Sequence, residues 1–267
     1  MNVGIDKKES AKLINMLGDF CGCRDVAELT NEKLREAYGI SQADVMVLFG
    51  GSILCGGDVL AKAMKQNAAK TYVIVGGVGH TTEALRVQMH REFPEFEAEN
   101  LPEAGLFAAY LKLRYGLAAD YLECKSTNCG NNITNLLDLL QAHGISFRSI
   151  ILCQDATMQR RMYAGLRKYL SDDIIIINYA SYQAKVIERA GELSFAEEIL
   201  GMWDMEHYLT LLMGELPRLS DNKEGYGPNG KDFIAHVDIP VQVLSAFEAM
   251  KTDCGSLIRK ANPLYAS

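Results

Sequence analysis

Two glycine-rich loops are the first candidates for chemistry in this chain. Gly50-Gly51-Ser52 follows the apolar run 45–49, and Gly76-Gly77-Val78-Gly79-His80 follows the apolar run 72–75. Glycines after a strand let a ligand approach backbone N–H groups, and the following helix N-terminus adds partial positive charge. The loops therefore predict a site for a carboxylate or a phosphate, although glycine is also an ordinary turn residue.

Three titratable side chains are further candidates for the site. His80 closes the second loop and is the best-placed histidine for proton transfer, and Asp155 is a second candidate acid or base. Asp155 also fits the N-cap position of a helix. Glu103 follows Pro102 at a predicted helix start, where a carboxylate favours the helix and can also contact a ligand.

A dense polar run lies between a predicted third strand and the next helix. It reads Ser126-Thr127-Asn128-Cys129-Gly130-Asn131-Asn132. One helix cap requires one such residue, so this run exceeds the requirement. We expect Ser126, Thr127 and Asn128 to offer hydroxyl and amide partners to a ligand.

The segment from Gln154 to Arg161 follows a predicted fourth strand and holds two consecutive arginines. Basic residues near a helix start do not complement the helix dipole. A ligand carboxylate or phosphate would explain Arg160 and Arg161, because guanidinium binds such groups in a bidentate manner. The alternative is a solvated pair, or a salt bridge to an acidic residue elsewhere. Gln154 and Asp155 belong to the same candidate ligand site.

Several familiar motifs are incomplete or missing. Gly77-x-Gly79 lacks the third glycine of a dinucleotide fingerprint, and no P-loop or G-x-S-x-G sequence occurs. The cysteines do not form pairs at zinc spacing, so we expect no metal site.

Composition narrows the class of protein. The chain has 267 residues with 27 Lys and Arg against 34 Asp and Glu, and no basic run suggests a nucleic-acid partner. No apolar stretch reaches the ~18–20 residues of a membrane span. The N-terminus has no signal-peptide pattern, and the 7 cysteines are scattered as in a reducing compartment. We expect a cytoplasmic protein that has a small-molecule ligand and no membrane partner.

From about residue 41 to residue 190, short apolar runs alternate with segments whose apolar residues recur at helical spacing. This rhythm predicts an α/β fold with an open, doubly wound parallel sheet, and ligands of such sheets bind at the carboxyl ends of the strands. Residues 1–40 are predicted to form a helical extension, and residues 191–267 are predicted to form a smaller helical part. The latter is predicted to hold a long helix from Ser194 to Met213, a polar loop from Ser220 to Lys231 that covers the site or packs beside it, and a last helix from Pro240.

The loop motifs together resemble the YdcF-like family, bacterial domains of unknown function that include SanA and ElyC. The resemblance rests on Phe49-Gly50-Gly51, the 76–80 loop, Glu103-Ala104, and the 126–130 and 154–161 segments. It continues at the 215–219, 225–228 and 236–238 segments, and so spans about residues 40–250. It implies a Rossmann-like three-layer α/β/α domain with a mainly parallel sheet and a smaller helical C-terminal part. It also implies S-adenosylmethionine as the bound cofactor, without an established methyl transfer.

One position departs from the family pattern. Asn131 stands where an acidic residue is usual. If that acid does chemistry in relatives, this chain binds its ligand without turning it over.

The leading prediction is therefore a cytoplasmic protein that binds S-adenosylmethionine or a related nucleotide, with transferase activity left open. One alternative is a hydrolase or transferase acting on a phosphorylated small molecule, with His80 or Asp155 as acid or base. Another is a non-enzymatic regulator or scaffold that presents the polar loop to a partner.

Overall fold

The central feature of the chain is a parallel sheet, seen in a computed structural model that describes residues 5–79 and 81–254. Five strands have the order β3-β2-β1-β4-β5, and every neighbouring pair is parallel. In chain order the elements are α1 (Lys7–Cys21), α2 (Asn31–Tyr38), β1 (Ala43–Phe49), α3 (Cys55–Lys65), β2 (Ala69–Val75), α4 (Thr82–Glu92), α5 (Glu103–Tyr115), β3 (Tyr121–Glu123), α6 (Cys129–Ala142), β4 (Ser149–Cys153), α7 (Gln159–Tyr169), β5 (Ile175–Asn178), β6 (Val186–Arg189), β7 (Glu192–Phe195), α8 (Met205–Leu219) and α9 (Val241–Cys254).

Both faces of the sheet are covered by helices, because the strands are apolar on both faces. Met46 and Leu48 of β1 belong to a fully buried cluster that also holds residues of α3 and α5. Val45 and Val47 point the other way and share a second cluster with residues of α6 and α7. The chain is thus a three-layer α/β/α protein, and the predicted Rossmann-like fold class is confirmed.

A third apolar cluster joins the two ends of the described chain. It contains buried residues of α1, α8 and α9 together with Val186 of β6. The Asn15 side chain pairs with the backbone of Val186, donating to its carbonyl and accepting from its N–H, each at 2.8 Å. Residues of the predicted N-terminal extension and C-terminal part therefore share one core, and the division at residues 40 and 190 stays a prediction.

The predicted helix from Ser194 to Met213 is wrong in its first half. Residues 194–195 lie in β7, which pairs with β6 as an antiparallel hairpin. Ala190 and Gly191 form the hairpin turn with φ of 54° and 86°, the left-handed geometry that two-residue turns need. The helix starts later because the Asp204 side chain caps it by accepting from the His207 N–H at 2.7 Å.

Across residues 5–79 and 81–254, none of the helices combines the length and apolarity needed to cross a lipid bilayer.

Candidate functional site

A cavity of about 370 Å³ opens beyond the carboxyl ends of β1, β2 and β3. Its floor is polar and is made by the glycine loops and the start of α6, whereas α7, α8 and residues 226–234 form a largely apolar wall. Small-ligand pockets usually have volumes of about 300–1,000 Å³ and combine an apolar lining with a few polar groups. The size and the lining therefore fit a small molecule.

The structure brings most of the predicted site residues to this cavity. Those that line it are Gly50, Gly51, Gly77, Gly79, Glu103, Ser126, Thr127, Asn128 and Arg161. They come from segments up to about a hundred residues apart in the chain, which meet because parallel strands end at one edge of the sheet.

Glu103 lies on the cavity floor as the first residue of α5, with only 5% of its surface exposed. Its Oε1 accepts hydrogen bonds from the hydroxyls of Thr81 and Thr82 at 2.8 and 3.0 Å. Burial raises the pKa of Glu103, and those hydroxyls, the Gly51 N–H and the more distant Arg86 guanidinium oppose the rise. The floor thus holds a carboxyl group that takes a proton more readily than an exposed one.

The glycine loops make room for this carboxyl group. A Cβ on Gly50 would lie 2.3 Å from Glu103 Oε2, and a Cβ on Gly76 would lie 3.0 Å from Glu103 Cβ. The start of α5 also docks on the second loop, because Glu103 N and Ala104 N donate to the carbonyls of Gly77 and Gly76 at 3.0 and 2.8 Å. These glycines are therefore required for the position of Glu103, whatever they contribute to a ligand.

Gly77 also joins the second loop to the polar run that begins at Ser126. Its N–H donates to Ser126 Oγ at 3.1 Å, and a Cβ at this position would lie only 2.0 Å from the Ser126 carbonyl oxygen. Such a distance is far below van der Waals contact, so only glycine fits here without a backbone shift.

The N-terminus of α6 forms one side of the cavity floor. Asn128 caps the helix by accepting from the Asn131 N–H at 2.9 Å, and Asn131 Oδ1 accepts from Thr127 Oγ1 at 3.2 Å. The first turn of α6 contains no acidic residue. The positive end of the helix dipole therefore remains available to a ligand carboxylate or hydroxyl.

Arg161 faces the cavity and forms a bidentate ion pair with Glu215 of α8. The distances are 2.5 Å from Nε to Oε2 and 3.0 Å from Nη2 to Oε1, and the side chains are only 11% and 5% exposed. This is the salt bridge that the sequence left open as an alternative to a ligand contact. The pair links α7 to α8, and Glu215 occupies the Nε–Nη2 edge of the guanidinium group.

The charges around the cavity nearly balance. Among the described lining residues, the acidic ones are Glu103, Glu215 and Asp232, and the basic ones are Arg161 and Arg218. A polyphosphate needs an excess of cationic groups around it. The described lining offers no such excess.

Residues after α8 supply an aromatic wall. Tyr226 and Phe233 meet edge to face with ring centroids 5.3 Å apart, and Ile234 N donates to the Tyr226 carbonyl at 3.1 Å. Met158 and Met162 of the α7 region line the same wall. A planar apolar ring is the chemical group that such a surface fits best.

Some predicted residues lie behind the cavity. Ser52 is buried and donates from Oγ to Ser181 Oγ at 2.9 Å, and Gln154 is buried with Nε2 donating to the Gly50 carbonyl at 2.9 Å. Gly76 supports Glu103 without itself lining the cavity. These residues shape the floor from below.

Asp155 is fully buried and does not line the cavity. Its carboxylate accepts from Thr157 N at 2.9 Å, Thr157 Oγ1 at 2.7 Å, Tyr182 OH at 2.9 Å and Trp203 Nε1 at 3.1 Å. Burial raises the pKa of Asp155, and these donors oppose the rise. The arrangement ties the loop after β4 to the segments before α8.

Arg160 points away from the cavity. Its guanidinium lies 4.2 Å from the ring centroid of Phe20 and donates to the Phe20 carbonyl, so it anchors α7 to α1. Consecutive residues on a helix point about 100° apart, which is why Arg161 reaches the cavity and Arg160 does not. His80, the other proton-transfer candidate, lies outside the described residues.

The sequence prediction left several residues of the wall unassigned. Tyr226 lies in the loop from Ser220 to Lys231 that was predicted to cover the site or pack beside it, and it lines the cavity. Glu215 belongs to a segment that carries the family resemblance but was not assigned to the site, and Phe233 and Ile234 carried no signal. No local pattern shows that these three residues meet the edge of the sheet.

Comparison with known families adds no assignment, because no protein-family model matches the chain. Within residues 5–79 and 81–254, no group of three or more His, Cys, Asp or Glu side chains could hold a metal ion. The functional argument therefore rests on the cavity itself.

Proposed function

We propose that this chain is a cytoplasmic, YdcF-like protein that binds S-adenosylmethionine or a close adenosyl relative in the cavity at the carboxyl edge of the sheet. One observation carries the proposal. A single cavity joins a buried carboxyl group, an exposed helix N-terminus and an aromatic wall. S-adenosylmethionine has a matching set of parts, namely a cationic centre, a carboxylate with hydroxyl groups, and a planar base.

The chemistry of each part suggests an orientation. The adenine ring packs against Tyr226 and Ile234, which lie on the aromatic wall. The hydroxyl groups and the carboxylate bond to the start of α6, where Thr127 and Asn128 are placed. The sulfonium group, which lies between the ribose and the amino-acid part, is then directed towards Glu103 on the cavity floor.

The charge of the lining favours this ligand over a nucleoside triphosphate or a dinucleotide. Arg161 is paired with Glu215, and Glu103 adds a carboxyl group to the floor. A polyphosphate would meet these carboxylates without enough cations to offset its charge. S-adenosylmethionine carries two positive groups and one negative group, which suits a floor with a buried acid.

Calorimetric titration tests the proposal. Purified protein is titrated with S-adenosylmethionine, S-adenosylhomocysteine, ATP and NAD. We expect saturable one-to-one binding of S-adenosylmethionine and weaker or no binding of ATP and NAD. Absence of heat and of any thermal shift with S-adenosylmethionine, in protein that is folded and free of copurified ligand, would reject the proposal.

Glu103 also favours a second function, the hydrolysis or transfer of a phosphorylated small molecule. A carboxyl group whose pKa is raised by burial keeps its proton to higher pH than an exposed one, and it can donate that proton to a leaving group. In this alternative Glu103 takes the role that the sequence assigned to His80 or Asp155. A panel of phosphate esters tests it, with Glu103→Gln as the control, and product formation that depends on Glu103 would support this function over binding alone.

A further inference from the structure

We propose that Glu103 is the counter-ion of a positively charged centre in the ligand, so that the cavity selects cationic ligands over their neutral analogues. This inference rests on the proposed adenosyl-binding function and assigns the specificity of that site to one residue.

The surroundings of Glu103 supply hydrogen bonds but no contacting cation. Thr81 and Thr82 donate to Oε1 through neutral hydroxyls. Arg86 is the cation whose field reaches Glu103, but its own hydrogen bonds go to Glu83 and to the Leu101 carbonyl. Within residues 5–79 and 81–254, none of the ion pairs includes Glu103.

The other carboxylates of the cavity have cationic partners. Glu215 is held by Arg161 in a bidentate pair. Asp232 at the cavity rim lies 2.5 Å from Lys168 Nζ, and its side chain is 64% exposed. Glu215 is as buried as Glu103 but is paired, and Asp232 is paired and exposed, so among the described acidic residues of the lining Glu103 is the one that is buried without a contacting cation.

The chain is built to keep the carboxyl group in this position. Gly50 and Gly76 leave the space that Glu103 occupies, and two backbone hydrogen bonds fix the start of α5 on the second glycine loop. A buried carboxylate without a cation is unfavourable, whereas a ligand cation brought beside it is attracted more strongly than it would be in water. The energy of this pairing is thus available only to a ligand that carries positive charge near the floor.

Proton exchange follows from the same arrangement. Because burial raises the pKa of Glu103, the ligand-free protein keeps a proton there to higher pH than an exposed glutamate would. A bound cation favours the carboxylate form and lowers that pKa. At a pH near the pKa of the free protein, binding of a cationic ligand therefore releases protons, and the affinity for that ligand rises with pH through this pKa.

Three ligands of similar shape differ in the charge that they carry at one position. S-adenosylmethionine has a sulfonium, sinefungin has an ammonium at the equivalent place, and S-adenosylhomocysteine has a neutral thioether. Each is titrated calorimetrically into the wild type, Glu103→Gln and Asp172→Asn. The last variant is a control, because Asp172 is exposed and does not line the cavity.

We expect the wild type to bind the two cationic ligands at least about tenfold more tightly than the neutral one. Glu103→Gln should lose at least about tenfold in affinity for the cationic ligands and little for S-adenosylhomocysteine. Asp172→Asn should retain the wild-type preference within about twofold. Titrations of the wild type in buffers with different ionisation enthalpies should show proton release with S-adenosylmethionine and none with S-adenosylhomocysteine, a readout that does not depend on how a variant folds.

Equal affinity of the wild type for charged and neutral ligands, or an equal loss of both in a folded Glu103→Gln, would overturn the inference and leave the proposed function in place. No binding of any of the three ligands to folded wild type would instead reject the proposed function, and this inference with it.

Discussion

Glu103 and Asp155 are carboxyl groups buried at the same edge of the sheet, and their surroundings give them different roles. Asp155 has protein donors on both oxygens and no access to the cavity. Glu103 lines the cavity. We therefore expect Asp155 to act on stability and Glu103 to act on the proposed ligand.

Replacing Asp155 with Ala should destabilise the fold. Tyr182 OH and Trp203 Nε1 would be left as buried donors without this acceptor, and each such loss costs about 1–3 kcal/mol. We expect the free energy of unfolding in urea to fall by about 2–5 kcal/mol. The exposed Asp172→Ala is the control and should change it by less than about 0.5 kcal/mol. Equal stability of the two variants would show that Asp155 is not a structural anchor.

Two glycines of one loop give a matched pair of substitutions. In Gly77→Ala the new Cβ would lie 2.0 Å from the Ser126 carbonyl oxygen, whereas in Gly79→Ala the nearest such atom, the Thr127 carbonyl oxygen, is 3.8 Å away. We expect the first change to lower the melting temperature strongly, with a loss of about 3 kcal/mol or more, and the second to cost less than about 1 kcal/mol. A Gly77→Ala protein as stable as Gly79→Ala would contradict the close approach of the two loops.

The site residues show what the sequence could and could not predict at this scale. Gly77, Ser126 and Arg161 were expected at the site because each follows a strand that ends at one edge of the sheet. Glu215 was not, because its contact with Arg161 joins positions 54 residues apart that no local pattern relates. Arg160 was predicted along with its neighbour, and only the orientation of α7 separates the two.

At the scale of the elements, a few polar contacts hold the position of residues 221–238, the segment that follows α8. Asp221 accepts from the Asn229 N–H at 2.6 Å and lies 2.7 Å from His236 Nδ1, while His236 Nε2 lies 3.1 Å from Asp238 Oδ1. Both ring nitrogens face carboxylates, an arrangement that the doubly protonated imidazolium satisfies and the neutral ring cannot. The contacts hold the two ends of the segment that supplies Tyr226 and Phe233 to the cavity.

The stability of this segment should depend on pH. The Asp221 and Asp238 carboxylates raise the pKa of His236, so the contribution of His236 is complete below its unfolded pKa and is lost as pH rises through the folded value. The backbone of Asn229 and then His236 lower the pKa of Asp221, so its contribution is present above its unfolded pKa and is lost as pH falls through the folded value. The segment is therefore held best between the unfolded pKa of Asp221 and the unfolded pKa of His236, and it is released as pH rises through the raised pKa of His236.

His236→Gln tests this expectation. Unfolding is measured from about pH 5 to pH 9, which brackets an ordinary imidazole pKa. The wild type should lose stability on the alkaline side, and His236→Gln should lack that loss. The exposed His90 of α4 provides the control, since His90→Gln should keep the wild-type pH profile. An unchanged profile in His236→Gln would show that the imidazole does not hold the segment.

Strands that are buried on both faces were predicted from the sequence, whereas the partly exposed β6–β7 hairpin was not. The three inner strands β1, β2 and β4 are apolar on both faces, so their short runs were visible in the sequence. The β6–β7 hairpin lies on the surface with mixed burial, and Ser194 and Phe195 were assigned to a helix. Its two-residue turn at Ala190 and Gly191 was the available signal.

At the scale of the whole molecule, the sheet positions the site, and a core shared by α1, α8 and α9 supports one wall of it. α1 packs against α9 and β6, and α8 contributes both to that core and to the cavity through Glu215. The doubly wound sheet could be predicted from the order of strands and helices. The shared core could not, because it depends on packing between α1 and α9, which are far apart in the chain.

A crystal structure of the protein with sinefungin tests the central claim most directly. We predict that the ligand occupies the cavity, with its amine within hydrogen-bond distance of the Glu103 carboxylate and its base against Tyr226 and Ile234. Density for the ligand at another place, or an empty cavity at saturating sinefungin in an open lattice, would contradict the account.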